Sequence, residues 1–318
     1  MRVRIATRKS PLALRQAHEV GGALQRAHGD LRVEMREMLS QGDKTSAPLA
    51  RIGGKGLFLK ELEQALLRGE ADVAVHSMKD VPAELPDGLV IAAVCARADA
   101  RDALVCNDFG AAAELPRGAR VGTCSLRRRC QLRARYPHLR FDDLRGNLGT
   151  RLGKLDGGEF DAIVLAVAGL RRLNCDARIT EIFAPEMCLP AAGQGALALE
   201  CRADDNAMRE LLGALDHAET AACVAAERAV SARLGADCTS PLAAYAVLHD
   251  GQLRLRALVG GADGARILRG ESHLTRAQSE AALAHANGDG AEQLGREVAD
   301  ELLARGAAEV LADGARAH

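Results

Sequence analysis

The chain has 318 residues, of which 48% are hydrophobic and 27% charged, with a formal net charge of −1 at pH 7. That length supports two or three domains with separate cores, and the composition is that of a globular protein. The near-zero charge, the 2% aromatic content and the absence of Trp exclude a global basic field and the stacking platforms of nucleic-acid binders. Nine cysteines form no C-x-x-C pair, so neither a zinc site nor a disulfide framework is expected, and no metal is assigned. Met1-Arg2-Val3-Arg4-Ile5 lacks an apolar signal region. No apolar run approaches the roughly 18–20 residues of a membrane span. These features predict a cytoplasmic protein with reduced thiols, most of them buried.

The first predicted strand runs from Arg2 to Thr7. Ser10-Pro11 then opens a helix, with Ser10 as N-cap and Pro11 at the first helical position. Ala13, Ala17, Val20 and Leu24 recur at helical spacing and face a core. A second helix, Leu57 to Arg68, follows Gly53-Gly54-Lys55-Gly56 and shares Leu59, Leu62 and Leu66 on one face. Ala71 to His76 and Leu89 to Val94 are further strands, and the pattern relaxes near Ala96–Arg101, where the chain crosses to a second domain.

Strand–helix alternation restarts with Ala119 to Gly122, a helix from Ser125, strand Arg140 to Leu144, a helix from Asn147 and strand Phe160 to Val167. Such alternation favours parallel sheets covered by helices. Pro190-Ala191-Ala192-Gly193-Gln194-Gly195 reads as a return crossover into the strand Ala196 to Glu200. A helix over Ala221 to Leu234, strands Ala243 to His249 and Gln252 to Val259 joined by Asp250-Gly251, a strand Arg266 to Glu271 and a helix from Ala291 to Arg305 complete a small α+β domain. No repeat is visible in the sequence.

Candidate chemistry concentrates where strands hand over to helices, the edge at which open α/β sheets bind ligands. Thr123-Cys124-Ser125-Leu126-Arg127-Arg128 and Arg145-Gly146-Asn147-Leu148-Gly149-Thr150-Arg151 join unpaired helix N–H groups to guanidinium forks that match carboxylates or phosphates. Arg8 and Ser10 occupy the equivalent turn in the first half, and two such edges facing each other make a basic cleft. Arg133, Arg135 and Arg140 read instead as a solvated helix face.

The glycine-rich segment around Lys55 fails the G-x-x-x-x-G-K-[ST] spacing of a phosphate loop and reads as a lid or a plain surface loop. Asp80, beside Lys79 at the end of a buried strand, either caps a turn or stabilises a cation and moves protons. His76 reads as a hydrogen-bonded structural residue. Cys238 in isolation is a core thiol. Its place in a loop between a long helix and a hairpin favours the exposure that reactivity requires.

Together these segments resemble the porphobilinogen deaminase (hydroxymethylbilane synthase) family. The likeness lies in Arg4–Ala13, Gly53–Phe58, Ala74–Pro82, Ser125–Arg128, Leu144–Asn147, Thr150–Leu152, Leu165–Leu170 and Leu189–Gly195, and runs in register from residue 4 to about residue 270. The resemblance implies an α/β fold with two similar periplasmic-binding-protein-like domains of mixed or parallel sheets, plus a smaller C-terminal α+β domain. Domain 1 is expected over 1–97 and 196–216, domain 2 over 98–195, and domain 3, carrying the cofactor cysteine, over 217–318.

It further implies a transferase of tetrapyrrole (heme) biosynthesis. Four porphobilinogen molecules condense into hydroxymethylbilane with loss of ammonia, on a dipyrromethane cofactor held by a thioether to Cys238. Acetate and propionate groups then bring on the order of a dozen carboxylates, which demand many fixed cations.

By the family match Asp80 holds pyrrole N–H groups, stabilises the cation formed when ammonia leaves and helps move the proton lost after coupling. Arg8, Ser10, Lys79, Thr123, Ser125, Arg127, Arg128, Arg145, Gly146 and Arg151 bind cofactor or substrate. Lys55 lies in a loop over the cleft, and Arg172 and Gln194 are further binders. The family implies a monomer whose partner is the small-molecule substrate, with no nucleic acid and no membrane. Two departures stand out. Cys124 occupies a position where the family commonly has Ser, and Ala236-Asp237-Cys238 replaces the common Gly-Gly-Cys. The alternative is a non-catalytic two-lobed binding protein for a carboxylate-rich small molecule, which has no need of a third domain.

Overall fold

A computed structural model describes residues 1–38, 59–236, 239–284 and 289–316. In chain order these form β1 (Arg2–Arg8), α1 (Pro11–Ala27), β2 (Arg32–Met38), α2 (Lys60–Leu67), β3 (Val73–Ser77), β4 (Leu89–Val94), β5 (Asp102–Cys106), β6 (Arg120–Gly122), α3 (Leu126–Arg135), β7 (Arg140–Asp142), α4 (Leu148–Asp156), β8 (Ala162–Ala166) and α5 (Val167–Arg172). They continue with β9 (Glu181–Ile182), β10 (Leu197–Arg202), α6 (Asn206–Gly213), α7 (Ala218–Arg233), β11 (Leu242–His249), β12 (Gln252–Gly260), β13 (Ile267–His273), α8 (Arg276–Ala284), α9 (Asp289–Ala304) and α10 (Ala307–Arg316). Contacts group the chain into two compact units, residues 1–97 with 196–221 and residues 98–195 with 222–318.

The first unit holds a five-stranded sheet of order β2-β1-β3-β10-β4, in which β1 runs parallel to β2 and β3, and β10 antiparallel to β3 and β4. Side chains of a strand alternate between faces, and β3 shows the division. Val73 and Val75 pack with Ala17, Val20 and Leu24 of α1 and with Met208 and Leu212 of α6. Ala74 packs on the other face against Leu62, Ala65 and Leu66 of α2.

Helix α1 starts where the sequence predicts: Ser10 is extended, its hydroxyl accepts from the Ala13 N–H at 3.3 Å, and Pro11 fills the first turn. Such a cap contributes about 1 kcal/mol. Strand β2 was not anticipated. Its alternating Arg32-Val33-Glu34-Met35-Arg36-Glu37-Met38 is an edge strand whose charges leave one face exposed.

The second unit repeats this topology. Its sheet has the order β7-β6-β8-β5-β9, with β6 parallel to β7 and β8, and β5 antiparallel to β8 and β9. In each sheet the antiparallel strand in fourth place is the first strand after a crossover, β10 after Gly195 and β5 after Arg97. The two halves are thus alike in topology although no sequence repeat is visible. Val121 and Val164 face Leu132 of α3 and Tyr136 just after it, while Ile163 and Leu165 face Leu152 and Leu155 of α4 and Leu170 of α5.

The C-terminal part is an antiparallel sheet of order β11-β12-β13. Its hairpin turns at Asp250 and Gly251, with φ of 51° and 75°, the left-handed pair that a two-residue connection needs. Helices α7, α8, α9 and α10 pack on one face through Ala226, Val230, Ala282, Val298, Leu302 and Val310. The opposite face meets α3 through Cys130, Leu189, Ala243 and Leu258. The observed class is therefore two similar α/β halves with mixed sheets and a smaller sheet-and-helix part. Among the described residues no helix is long and apolar enough to cross a membrane.

Candidate active site

In the first unit, β3 ends in a short 3-10 turn over Met78–Asp80. Met78 is buried and its N–H donates to the Ala196 carbonyl at 3.0 Å, while the Val81 N–H closes the turn on the Met78 carbonyl at 3.1 Å. Asp80 projects outward and is exposed. Among the described residues its carboxylate has no hydrogen-bond or ion-pair partner. The turn is closed by backbone, so the turn-capping explanation of Asp80 falls away. Lys79 is half-buried beside it, and Arg8, at the end of β1, is half-buried next to the Ser10 cap.

In the second unit, Thr123 and Ser125 organise the start of α3. The Thr123 hydroxyl accepts from the Ser125 N–H at 3.2 Å, and Ser125 Oγ accepts from the Arg128 N–H at 3.4 Å. Arg127 and Arg128 depart from the expected open forks. Both are buried, and both pair with the fully buried Asp102 at the start of β5. Arg127 Nη1 lies 2.7 Å from Asp102 Oδ2 and donates to the Leu189 carbonyl at 2.8 Å. Arg128 Nε and Nη2 reach Asp102 Oδ1 at 3.0 and 2.7 Å, and its Nη1 reaches the Val164 carbonyl at 2.9 Å.

Side chains of the first helical turn here point back onto the sheet rather than into solvent. Burial alone pushes the Asp102 carboxyl up. The two guanidinium charges and their hydrogen bonds overcome this and hold it well below the usual carboxylate range.

Gln194 belongs to the same network. It is buried, donates to the Ala100 carbonyl at 2.6 Å and to Asp102 Oδ1 at 2.9 Å, and accepts from Arg127 at 3.5 Å. Its amide is engaged with protein, contrary to a ligand-facing role. Arg172 is half-buried and reaches the Gly195 carbonyl at 3.2 Å.

The second basic turn is more open. Arg145 is half-exposed and lies 3.5 Å from Asp143, while Arg151 Nε donates to the Gly146 carbonyl at 2.8 Å. Gly146 has φ of 114°, and a Cβ there would meet Thr150 Cγ2 at 2.7 Å. Asn147 caps α4 by accepting from the Thr150 N–H at 2.9 Å. Arg133, read as a solvated-face residue, is half-buried, donating to the Ala262 carbonyl at 3.4 Å and lying over Phe141. Cys124 is exposed beside Thr123, whereas burial pushes the Cys130 and Cys188 thiols up to about 12. Lys55 and Cys238 lie outside the described residues. Among the described residues no group of three or more His, Cys, Asp or Glu is placed to hold a metal ion.

Sequence reasoning missed Asp102. A lone acid before the apolar run Ala103-Leu104-Val105 was the available signal, because a buried carboxylate needs cationic partners. It also missed Glu227 of α7. This fully buried carboxylate accepts from the Gly193 and Ala246 N–H groups, each at 2.7 Å.

Residues 3–210 match the family described as "Porphobilinogen deaminase, dipyromethane cofactor binding domain", and residues 221–304 match "Porphobilinogen deaminase, C-terminal domain". The chain belongs to the porphobilinogen deaminase family. Porphobilinogen deaminases are transferases, hydroxymethylbilane synthases, and the reaction condenses porphobilinogen into hydroxymethylbilane on a dipyrromethane cofactor.

Solved structures are similar at lower levels. The periplasmic VFT2 domain of Bordetella pertussis BvgS is 18% identical with a TM-score of 0.42, covering 67% of this chain and 86% of that one. A methionine-bound nutrient binding protein from Burkholderia cenocepacia is 14% identical with a TM-score of 0.42, covering 67% and 91%. The methionine binding protein MetQ is 13% identical with a TM-score of 0.43, covering 67% and 89%.

Each unit by itself offers donors whose chemistry suits acetates and propionates such as a dipyrromethane carries: Arg8, Lys79 and the Ser10 hydroxyl in the first, and Arg145, Arg151 and the Thr123 and Ser125 hydroxyls in the second. The exposed acceptor Asp80 suits pyrrole N–H groups.

Proposed function

We propose that Asp80 is the catalytic carboxylate of this deaminase. It accepts pyrrole N–H bonds, stabilises the positive charge that develops as ammonia leaves, and takes part in removing the proton lost on coupling. The observation that carries this reading is the exposed carboxylate on a backbone-closed turn with no partner among the described residues. Dipyrromethane supplies the primer to which the pyrrole units are added. Cys238 carries it through a thioether, and Lys55 is a further cation that binds substrate.

Arg8, Ser10, Lys79, Thr123, Ser125, Arg145, Arg151 and the open backbone at Gly146 bind the carboxylates. Arg127 and Arg128 serve the same anions from behind, by fixing the start of α3 through Asp102. Gln194 and Arg172 act on the return crossover, where both meet backbone carbonyls or Asp102. Residues 217–318 form a third domain, and the enzyme works as a cytoplasmic monomer.

Intact mass and turnover test this together. The wild-type protein carries the mass of two pyrrole units. Asp80→Asn keeps that adduct and loses turnover by about 10²-fold or more. Near-normal turnover in Asp80→Asn removes it from the chemistry, and an active protein of bare polypeptide mass removes the tether.

A further inference from the structure

Strand β3 ends in two residues whose side chains leave the sheet on opposite faces, and each is fastened by a different element. His76 follows Ala74 onto the α2 face, and there its Nε2 lies 2.8 Å from Glu200 Oε2. Ala198 of β10 is the residue directly opposite His76, which makes Glu200 its diagonal neighbour on that face. Both side chains are buried. Ser77 leaves on the α1 face. Its hydroxyl accepts from Gln16 Nε2 at 2.9 Å and donates to Gln16 Oε1 at 3.4 Å, and Gln16 is itself buried. The next residue, Met78, is held through its backbone and its buried side chain. Lys79 and Asp80 follow immediately.

The His76–Glu200 contact is a poor way to gain stability. Replacing both partners of a buried polar contact by apolar groups of the same shape is often neutral or favourable. Here the second carboxylate oxygen, Glu200 Oε1, is buried with no hydrogen-bond partner among the described residues, which is costly in itself. A further acid, Glu63 of α2, lies close enough for the Glu200 charge to reinforce the upward push that burial gives its carboxyl. A fold that keeps such a group four residues before a reacting carboxylate gains something other than stability. Placement is the gain the geometry offers, because a small misplacement of a reacting group is expensive in rate.

We infer that His76, Glu200, Ser77 and Gln16 are positioning residues for Asp80. One latch on each face of the sheet fixes the end of β3, so that the 3-10 turn presents the carboxylate in a single orientation. The Gln16 latch also joins that turn to α1, whose start carries Ser10. This inference rests on the assignment of Asp80 as the catalytic carboxylate.

The test uses full-length holoenzyme and reads kcat and KM for porphobilinogen, intact mass and Tm in the same preparations. Ser77→Ala and Gln16→Leu each lower kcat about tenfold or more while KM stays within about threefold, because uniform binding is untouched. Cofactor mass stays as in the wild type, and Tm falls by no more than the few degrees that one lost buried hydrogen bond costs. The double variant is no worse than either single one, since both remove the same contact. Ser77→Thr, which keeps the hydroxyl, restores kcat. Glu200→Gln, which still accepts from His76, retains kcat, and Glu200→Ala does not.

Wild-type kcat in Ser77→Ala and Gln16→Leu, with Asp80→Asn inactive, overturns the latches and leaves Asp80 standing. Loss of kcat only in proportion to lost cofactor or lowered Tm overturns them as well. Normal turnover in Asp80→Asn instead overturns the assignment beneath them.

Discussion

Asp102 Oδ2 and Arg127 Nη1 meet at 2.7 Å, both buried, with Arg128 on the other carboxylate oxygen. One anion between two cations leaves a net positive charge inside the second unit, at the root of the helix start that carries Thr123 and Ser125. Removing the anion strands two buried guanidiniums, so Asp102→Ala is expected to cost about 3–5 kcal/mol. Urea denaturation of the variant beside the wild type measures this.

The same contact predicts an acid limit. The Asp102 carboxyl is held below its ordinary value in the folded protein, so the unfolded chain binds its proton first as pH falls. Its contribution is therefore complete above the unfolded value of about 3.9 and is lost progressively below it. Between about pH 5 and about pH 2.5 the urea midpoint of the wild type is expected to fall more steeply than that of Asp102→Asn. Parallel slopes would contradict this.

Glu227 ties three segments by accepting from Gly193 and Ala246 while fixed on α7. Glu227→Ala leaves two buried N–H groups to be satisfied otherwise, at about 1–3 kcal/mol each. Glu227→Gln retains one good acceptor and is expected to lose about half as much. Thermal melts of the two variants rank them.

Gly146 occupies a left-handed conformation in which a methyl group would strike Thr150. Gly146→Ala is expected to cost about 1–3 kcal/mol and to shift Arg145, with KM for porphobilinogen rising more than kcat falls. A variant with wild-type KM would detach this turn from carboxylate binding.

Burial pushes the Cys130 and Cys188 thiols up to about 12 and Cys201 up to about 11, while Cys124 is exposed. Only thiolates alkylate readily. Iodoacetamide at pH 8 on folded protein is therefore expected to label Cys124 and to spare the other three, as peptide mass mapping can show. Cys124→Ser keeps the pyrrole adduct, and Cys238→Ala lacks it. The reverse result would assign the tether to Cys124.

How far the fold was legible depended on local signals. Ser10-Pro11, Asn147 and Asp250-Gly251 marked their elements correctly because caps and tight turns are decided by neighbouring backbone. Strands β2 and β5 were missed. One is a charged edge whose alternation breaks at Arg36-Glu37, and the other is a five-residue strand opened by an acid, too short for a period to separate it from its surroundings. The likeness of the two halves was equally invisible as a repeat, since it lies in strand order and direction rather than in residue identity.

By itself the sequence determined the family, the chemistry on offer and the places where strands meet helices, because residue types in fixed order carry that information directly. Only the tertiary structure decided which cations stay open. Arg127 and Arg145 occupy similar turns, yet one is held by a buried carboxylate twenty-five residues upstream and the other is half-exposed. Pairing between distant residues depends on which strands become neighbours, and that is settled by packing the whole sheet rather than by any local run of residues.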